Sequence, residues 1–67
     1  MDYAETRELV RLRYELRRLM VDRTAEGALE ARATLARIQA LIATDAEEAA
    51  TVGPELARWQ VSLALTP

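Results

Sequence analysis

Four leucines near the start of the chain recur at steps of three, four and three residues: Leu9, Leu12, Leu16 and Leu19. This spacing places all four side chains on one face of an α-helix, because about 3.6 residues make one turn. The pattern predicts an amphipathic helix over about residues 3–23. It limits the chain to folds in which such a leucine face is covered.

A second apolar line runs along the same predicted helix. Its members are spaced seven, four and seven residues apart: Tyr3, Val10, Tyr14 and Val21. At about 100° per residue, this line lies roughly 150° from the leucines. A small monomeric hairpin needs one buried face on each helix, and two are present here. We therefore expect the second line to be an interface, most simply in a homodimer that forms a helical bundle.

The residues from Asp22 to Gly27 interrupt the apolar pattern. They predict a turn, because Asp and Thr cap helices and Gly favours turns. After the turn, apolar side chains again recur at steps of three and four: Ala28, Ala31, Leu35, Ile38 and Ile42. This spacing predicts a second helix over about residues 26–51, antiparallel to the first.

Thr44 and Glu47 fit a capping box, in which Thr44 would accept a hydrogen bond from the backbone of Glu47. Such a cap could restart a short helix at residues 45–52. We expect the second helix to continue through this point or to kink only mildly, since no residue in 44–46 forbids helix.

Gly53 followed by Pro54 predicts the clearest boundary in the chain, because Gly often ends a helix and Pro often begins one. The segment 53–67 would then pack on the hairpin or on a partner chain. Leu56, Trp59 and Leu63 have helical spacing. A β-strand is the alternative, for which four apolar residues alternate: Trp59, Val61, Leu63 and Leu65. We favour helix, because the chain offers no second strand for pairing.

The predicted fold is all-α: one domain over residues 1–67, with a hairpin of two helices and a short C-terminal helix. A domain of this size buries only about 60% of the surface of its unfolded chain, so its own core is marginal. The sequence has neither Cys nor His, so disulfides and metal sites built from those residues cannot reinforce it. Association with another chain is the expected source of additional stability.

The reactive groups of the chain are few, because Lys is absent as well. His is the usual general base near neutral pH, and Cys is the strongest ready nucleophile. Ser62 has no base to activate it, and two isolated glycines cannot form a nucleotide-binding loop. We expect no enzymatic activity and no cofactor.

Two clusters of carboxylates stand out: Glu26 with Glu30, and Asp45 with Glu47 and Glu48. Paired carboxylates can hold a hard cation when they are buried together. Acidic side chains also favour the first turn of a helix, where the helix dipole stabilises them. We expect this second role here and no metal site.

Charge is unevenly distributed, although the net charge is −2. Residues 7–23 contain six Arg and three acids, whereas residues 25–67 contain three Arg and six acids. Acids three or four residues from the arginines predict ion pairs on the helix surface. Arg13 and Arg17 lie between the two apolar faces of the first helix. An interface there would bring them near a partner's acids or an anionic ligand.

These features predict a small interaction module, such as an adaptor, an inhibitor or an assembly subunit. Its expected interface residues are Tyr3, Val10, Tyr14, Val21, Trp59 and Leu63. A lone Trp in a small helical protein is usually a core or interface plug. The alternative is an oligomer that binds a nucleotide or nucleic acid through Arg13 and Arg17, although the chain is not basic overall.

The expected location is the cytoplasm. No run approaches the ~20 apolar residues that a membrane span needs, and the acidic N-terminus is unlike a signal peptide. The composition, rich in Arg and Ala without Lys, is typical of a GC-rich bacterial or phage genome.

Overall fold

The computed structural model describes residues 1–22 and 24–65. Three helices of similar length follow one another: α1 (Tyr3–Val21), α2 (Ala25–Ile42) and α3 (Ala46–Ala64). The predicted all-α fold is confirmed, and the described ranges contain no strand. Residue 23, at the predicted end of the first helix, and residues 66–67 of the C-terminal segment lie outside them.

The first helix begins with a capping box. The Asp2 carboxylate accepts a hydrogen bond from the backbone N–H of Glu5 at 2.8 Å, and the Glu5 carboxylate accepts one from the backbone of Asp2 at 3.3 Å. Both bonds satisfy N–H groups that a helix start leaves without partners. The helix ends at Val21, and the backbone N–H of Asp22 donates to the carbonyl of Leu19 at 3.1 Å.

The second helix begins at a threonine cap. Thr24 Oγ1 accepts a hydrogen bond from the backbone N–H of Gly27 at 3.0 Å. The Asp22 carboxylate in turn accepts a bond from the backbone N–H of Thr24 at 3.1 Å. The predicted turn is therefore present, but Gly27 lies inside α2 and not in the turn.

The prediction of a second helix that continues to residue 51 is wrong. The helix α2 ends at Ile42, and Asp45 caps α3 by accepting a hydrogen bond from the backbone N–H of Glu48 at 3.0 Å. The sequence predicted Thr44 as the capping residue, whereas the structure has the cap one residue later, at Asp45. The reversal places the apolar side of α3 against α2, and Val52 becomes fully buried. A continuous helix would leave that side exposed.

The predicted boundary at Gly53 and Pro54 is also wrong, because α3 runs through both residues and is 19 residues long. Pro54 cannot donate the backbone hydrogen bond that the carbonyl of Ala50 would accept in a regular helix. Ala50 is exposed, so water can reach that carbonyl. Gly53 has no Cβ to meet the proline ring, which removes part of the usual conflict before a proline. Burial favours continuity, since Val52 and Leu56 on either side are both buried.

The core is apolar and lies between the three helices. Its buried members are Leu9, Leu12, Leu16, Leu19, Ala28, Ala31, Leu35, Ile38, Ile42, Val52, Leu56 and Leu63. Trp59 and three other partly buried side chains pack against this cluster. No polar or charged side chain is buried in the described part of the chain.

The helix α2 lies along both of its neighbours, whereas α1 and α3 approach each other less closely. Arg37 of α2 reaches Glu8 of α1 at 3.5 Å, and Arg32 of α2 donates to the backbone carbonyl of Leu63 in α3 at 2.9 Å. The three helices therefore run up, down and up. One surface of α1 faces away from both other helices.

Candidate interaction surface on the first helix

The second apolar line of α1 is exposed from end to end. The exposed fractions are 78% for Tyr3, 60% for Val10, 72% for Tyr14 and 81% for Val21. Single exposed apolar side chains are common on proteins, but an aligned set over about 27 Å of helix is typical of a contact surface. We call this set of four residues the outer face of α1.

Arg7 lies next to the start of the outer face. Its guanidinium carbon is 5.8 Å from the centroid of the Tyr3 ring, within cation–π range. Arg7 also lines a shallow, open depression together with Ala4, Glu8 and Arg11. Among the described residues, no carboxylate oxygen lies within 4.0 Å of the guanidinium nitrogens of Arg7, so none forms an ion pair with it.

Arg13 and Arg17 both bind one carboxylate of the same chain. Arg13 contacts Oε1 of Glu55 through Nε and Nη2, each at 3.0 Å, and Arg17 Nη2 contacts Oε2 at 2.9 Å. Partial burial raises the pKa of Glu55, but the hydrogen bonds and charges of Arg17 and Arg13 outweigh it. The pKa of Glu55 therefore lies below the usual value for a glutamate. Glu55 of the same chain therefore binds the two arginines for which the sequence predicted a partner's acid or an anionic ligand.

The other arginines of α1 form ion pairs along the helix surface. Arg11 binds Glu8 at 2.6 Å, and Arg18 binds Glu15 in the same i, i+3 arrangement. The hydrogen bonds from these arginines lower the pKa of both glutamates. The predicted surface ion pairs are confirmed at these two positions. Such exposed pairs contribute little to stability.

Trp59 and Leu63 do not lie on the outer face. Leu63 is buried in the core, and Trp59 is half-buried against it, so both side chains pack between α3 and the hairpin. Three further large apolar side chains are exposed on α2 or near the end of α3: Leu29, Val61 and Leu65.

The acidic clusters occupy helix starts as expected from the sequence, except for Glu30, which lies beyond the first turn of α2. Glu26 lies in the first turn of α2, and Glu47 and Glu48 lie in the first turn of α3. Asp45 caps α3 and contacts the N-terminal ammonium group at 3.2 Å. Its pKa is lowered, first by the backbone N–H of Glu48 and then by the ammonium group. Within residues 1–22 and 24–65, no three carboxylates are grouped closely enough to ligate a metal ion.

Crossing a bilayer requires a helix that is both long and apolar, and none of the three described helices has that combination.

No protein-family model, curated protein or solved structure matches this chain. The functional assignment therefore depends on the surface geometry alone.

Two residues that contact the arginines or the aromatic side chains of α1 were not singled out by the sequence pattern. Glu55 is the only acid after Glu48 in the sequence, but nothing local indicated that it would face Arg13 and Arg17. The sequence pattern did not distinguish Arg7 from the other arginines of α1. Its place beside Tyr3 depends on the side-chain conformation.

Proposed function

We propose that this protein is a non-enzymatic interaction module, such as an adaptor, an inhibitor or an assembly subunit, that binds protein surfaces through the outer face of α1. The observation that carries the proposal is the exposure of two tyrosines and two valines in one line. Each tyrosine has on the order of 200 Å² of surface, and burial of apolar area stabilises a complex by about 25 cal/mol per Å².

The spacing of the outer face supports helix-to-helix packing as the mode of contact. Arg7 and Arg17 fall between its four members, so that positions 3, 7, 10, 14, 17 and 21 follow steps of four, three, four, three and four. Positions 3, 10 and 17 and positions 7, 14 and 21 each repeat every seven residues, which is the heptad spacing of a coiled-coil seam. A partner helix, from a second copy or from another protein, would lie along this seam.

Binding of a nucleotide or nucleic acid through Arg13 and Arg17 is the weaker alternative. Glu55 already holds both guanidinium groups, so an anion would have to displace it. Such a ligand would bind with a salt-dependent affinity that falls on Arg13→Ala. A panel of nucleotides that gives no thermal shift, and oligonucleotides that do not bind at low salt, would exclude it.

Absolute mass by light scattering behind size exclusion tests the proposed surface. The chain is measured from about 10 µM to 1 mM in about 1 M NaCl, where salt screens the arginines beside the outer face. We expect the mass to rise above the 7.5 kDa monomer with concentration. The variant Tyr14→Glu/Val21→Glu should stay monomeric and remain helical by circular dichroism.

The matched control is Leu29→Glu/Val61→Glu, which places two glutamates at exposed apolar positions outside α1. It should associate like the parent chain. The proposal is wrong if the α1 variant associates as well as the control does. A parent chain that stays monomeric throughout the range would exclude a second copy as the partner and leave a helix of another protein as the occupant.

A further inference from the structure

Charge is asymmetric around α1. At about 100° per residue, all five arginines of the helix lie within about 80° of the centre of the outer face, and each of its glutamates lies about 120° or farther from it. The arginines are Arg7, Arg11, Arg13, Arg17 and Arg18. The outer face is thus apolar along its centre and basic along both edges.

The carboxylates of the chain neutralise this basic border only in part. Glu8, Glu15 and Glu55 bind four of the five arginines, which leaves a surplus of two positive charges. Within the described ranges, Arg7 has no carboxylate at ion-pair distance. Glu55 is shared between Arg13 and Arg17, so each of these has donors left for a second acceptor.

This border opposes pairing of α1 with the same helix of a second copy. An antiparallel pairing that matches Tyr3 with Val21 of a second copy sets Arg7 against Arg17 of that copy. A parallel pairing sets Arg7 against Arg7. Both arrangements bring arginine against arginine within the contact, and like charges at a contact are unfavourable.

We propose that the occupant of the outer face is an amphipathic helix of another protein, with an apolar seam bordered by Asp and Glu. Its apolar side chains would cover Tyr3, Val10, Tyr14 and Val21. Its carboxylates would pair with Arg7 and supply a second acceptor to Arg17. This inference rests on the proposed function and adds the chemistry of the partner. It predicts that salt weakens binding of the acidic partner, because salt screens the attraction between its carboxylates and the arginines. Salt should strengthen self-association, because it screens the repulsion between the arginines of two copies.

The test uses a labelled synthetic helix of three heptads, with Leu at the seam positions and Glu on both sides of them. Its matched control carries Lys at every Glu. Fluorescence anisotropy is measured with the full chain at about 50 mM and about 300 mM NaCl. We expect the acidic peptide to bind at least about tenfold more tightly than the basic one, with an affinity that falls several-fold at the higher salt.

Two single substitutions locate the contact. Arg7→Glu should weaken binding of the acidic peptide about tenfold, because it converts the unneutralised cation of the seam into a like charge. Arg58→Glu makes the same change of charge on α3, at an exposed arginine without an ion pair to any described residue, and should change the affinity less than about twofold.

The other outcomes overturn the inference in distinguishable ways. Equal binding of both peptides would support the outer face as a contact surface but would contradict its preference for partners with acidic side chains. Failure of both peptides, together with a stable dimer at low salt, would assign the face to a second copy. Failure of both with no association at any salt would remove the proposed function as well. Binding to phosphatidylglycerol vesicles or to a DNA oligonucleotide, without binding to the acidic peptide, would assign the basic border to lipid or nucleic acid.

Discussion

Arg13 and Glu55 are joined twice across 42 residues of sequence: Nε and Nη2 of the arginine each contact Oε1 of the glutamate at 3.0 Å. Arg17 binds the other carboxylate oxygen at 2.9 Å. Because α1 and α3 approach each other less closely than either approaches α2, these contacts help to set how α3 lies against α1.

Glu55→Gln should lower the free energy of unfolding by about 1 kcal/mol at pH 7, since it removes the charge shared by two arginines but keeps the size of the side chain. Urea denaturation followed by circular dichroism measures the effect. Glu47→Gln is the control on the same helix, where the exposed carboxylate makes no ion pair with a described residue. A loss for Glu47→Gln as large as that for Glu55→Gln would contradict a specific role of the Arg13 and Arg17 contacts.

The contribution of Glu55 to the free energy of unfolding should decrease as the pH falls. Its pKa is lowered by folding, so its stabilisation is complete above the unfolded pKa and is lost as the pH falls through the lower, folded value. The difference in stability between the parent chain and Glu55→Gln should therefore be constant near pH 7, begin to shrink as the pH falls past about 4.3, the usual pKa of a glutamate, and disappear only below the lower pKa of the folded state. A difference that persists undiminished to pH 2 would show that the Glu55 charge is not its source.

Pro54→Ala should stabilise the chain by about 1–3 kcal/mol, because it restores a helical hydrogen bond to the carbonyl of Ala50 in the middle of α3. Gly53→Ala alone should gain little. Apart from its chain neighbours and the backbone of its own helix, a Cβ at this position meets no atom within 4 Å, but it would crowd the proline ring. In the Pro54→Ala background the same change should add about 1 kcal/mol. Thermal unfolding of the four proteins gives the coupling, and simple additivity would rule out the steric explanation.

Thr24→Ala should destabilise the chain by about 1 kcal/mol, because it removes the acceptor for the backbone N–H of Gly27 at the start of α2. Thr24→Ser keeps that hydroxyl and should remain within about 0.5 kcal/mol of the parent. Equal losses in the two variants would mean that the methyl group of Thr24, and not its hydrogen bond, is important. Urea denaturation separates the two cases.

The leucine face of α1 was predictable because four similar side chains repeat with the period of the helix, and all four are buried. The path of α3 could also be predicted in part from the sequence. Val52, Leu56, Trp59 and Leu63 form one helical stripe that crosses Pro54. A helix that buries this stripe has to pass through the proline. Gly53 and Pro54 favour a helix boundary locally, and this preference conflicts with the stripe. In the structure, the burial of the stripe outweighs the local preference.

The end of α2 and the partner of Arg13 could not be predicted in the same way. Helix propensity allowed a continuous path past Thr44, and the break depends on the burial that α3 gains by turning back onto α2. The contact between Arg13 and Glu55 depends on the register of two helices that are distant in sequence. A one-turn shift of about 5.4 Å between them would separate the groups.

The three aromatic side chains of the protein are divided between two environments. Tyr3 and Tyr14 stand in solvent on the outer face of α1, and Trp59 rests against the core from α3. Tyrosine absorbance therefore responds to a molecule that covers α1, whereas tryptophan emission responds to the release of α3. The two signals make the unlabelled chain its own spectroscopic reporter, and a titration that moves the tyrosine signal alone records binding without unfolding.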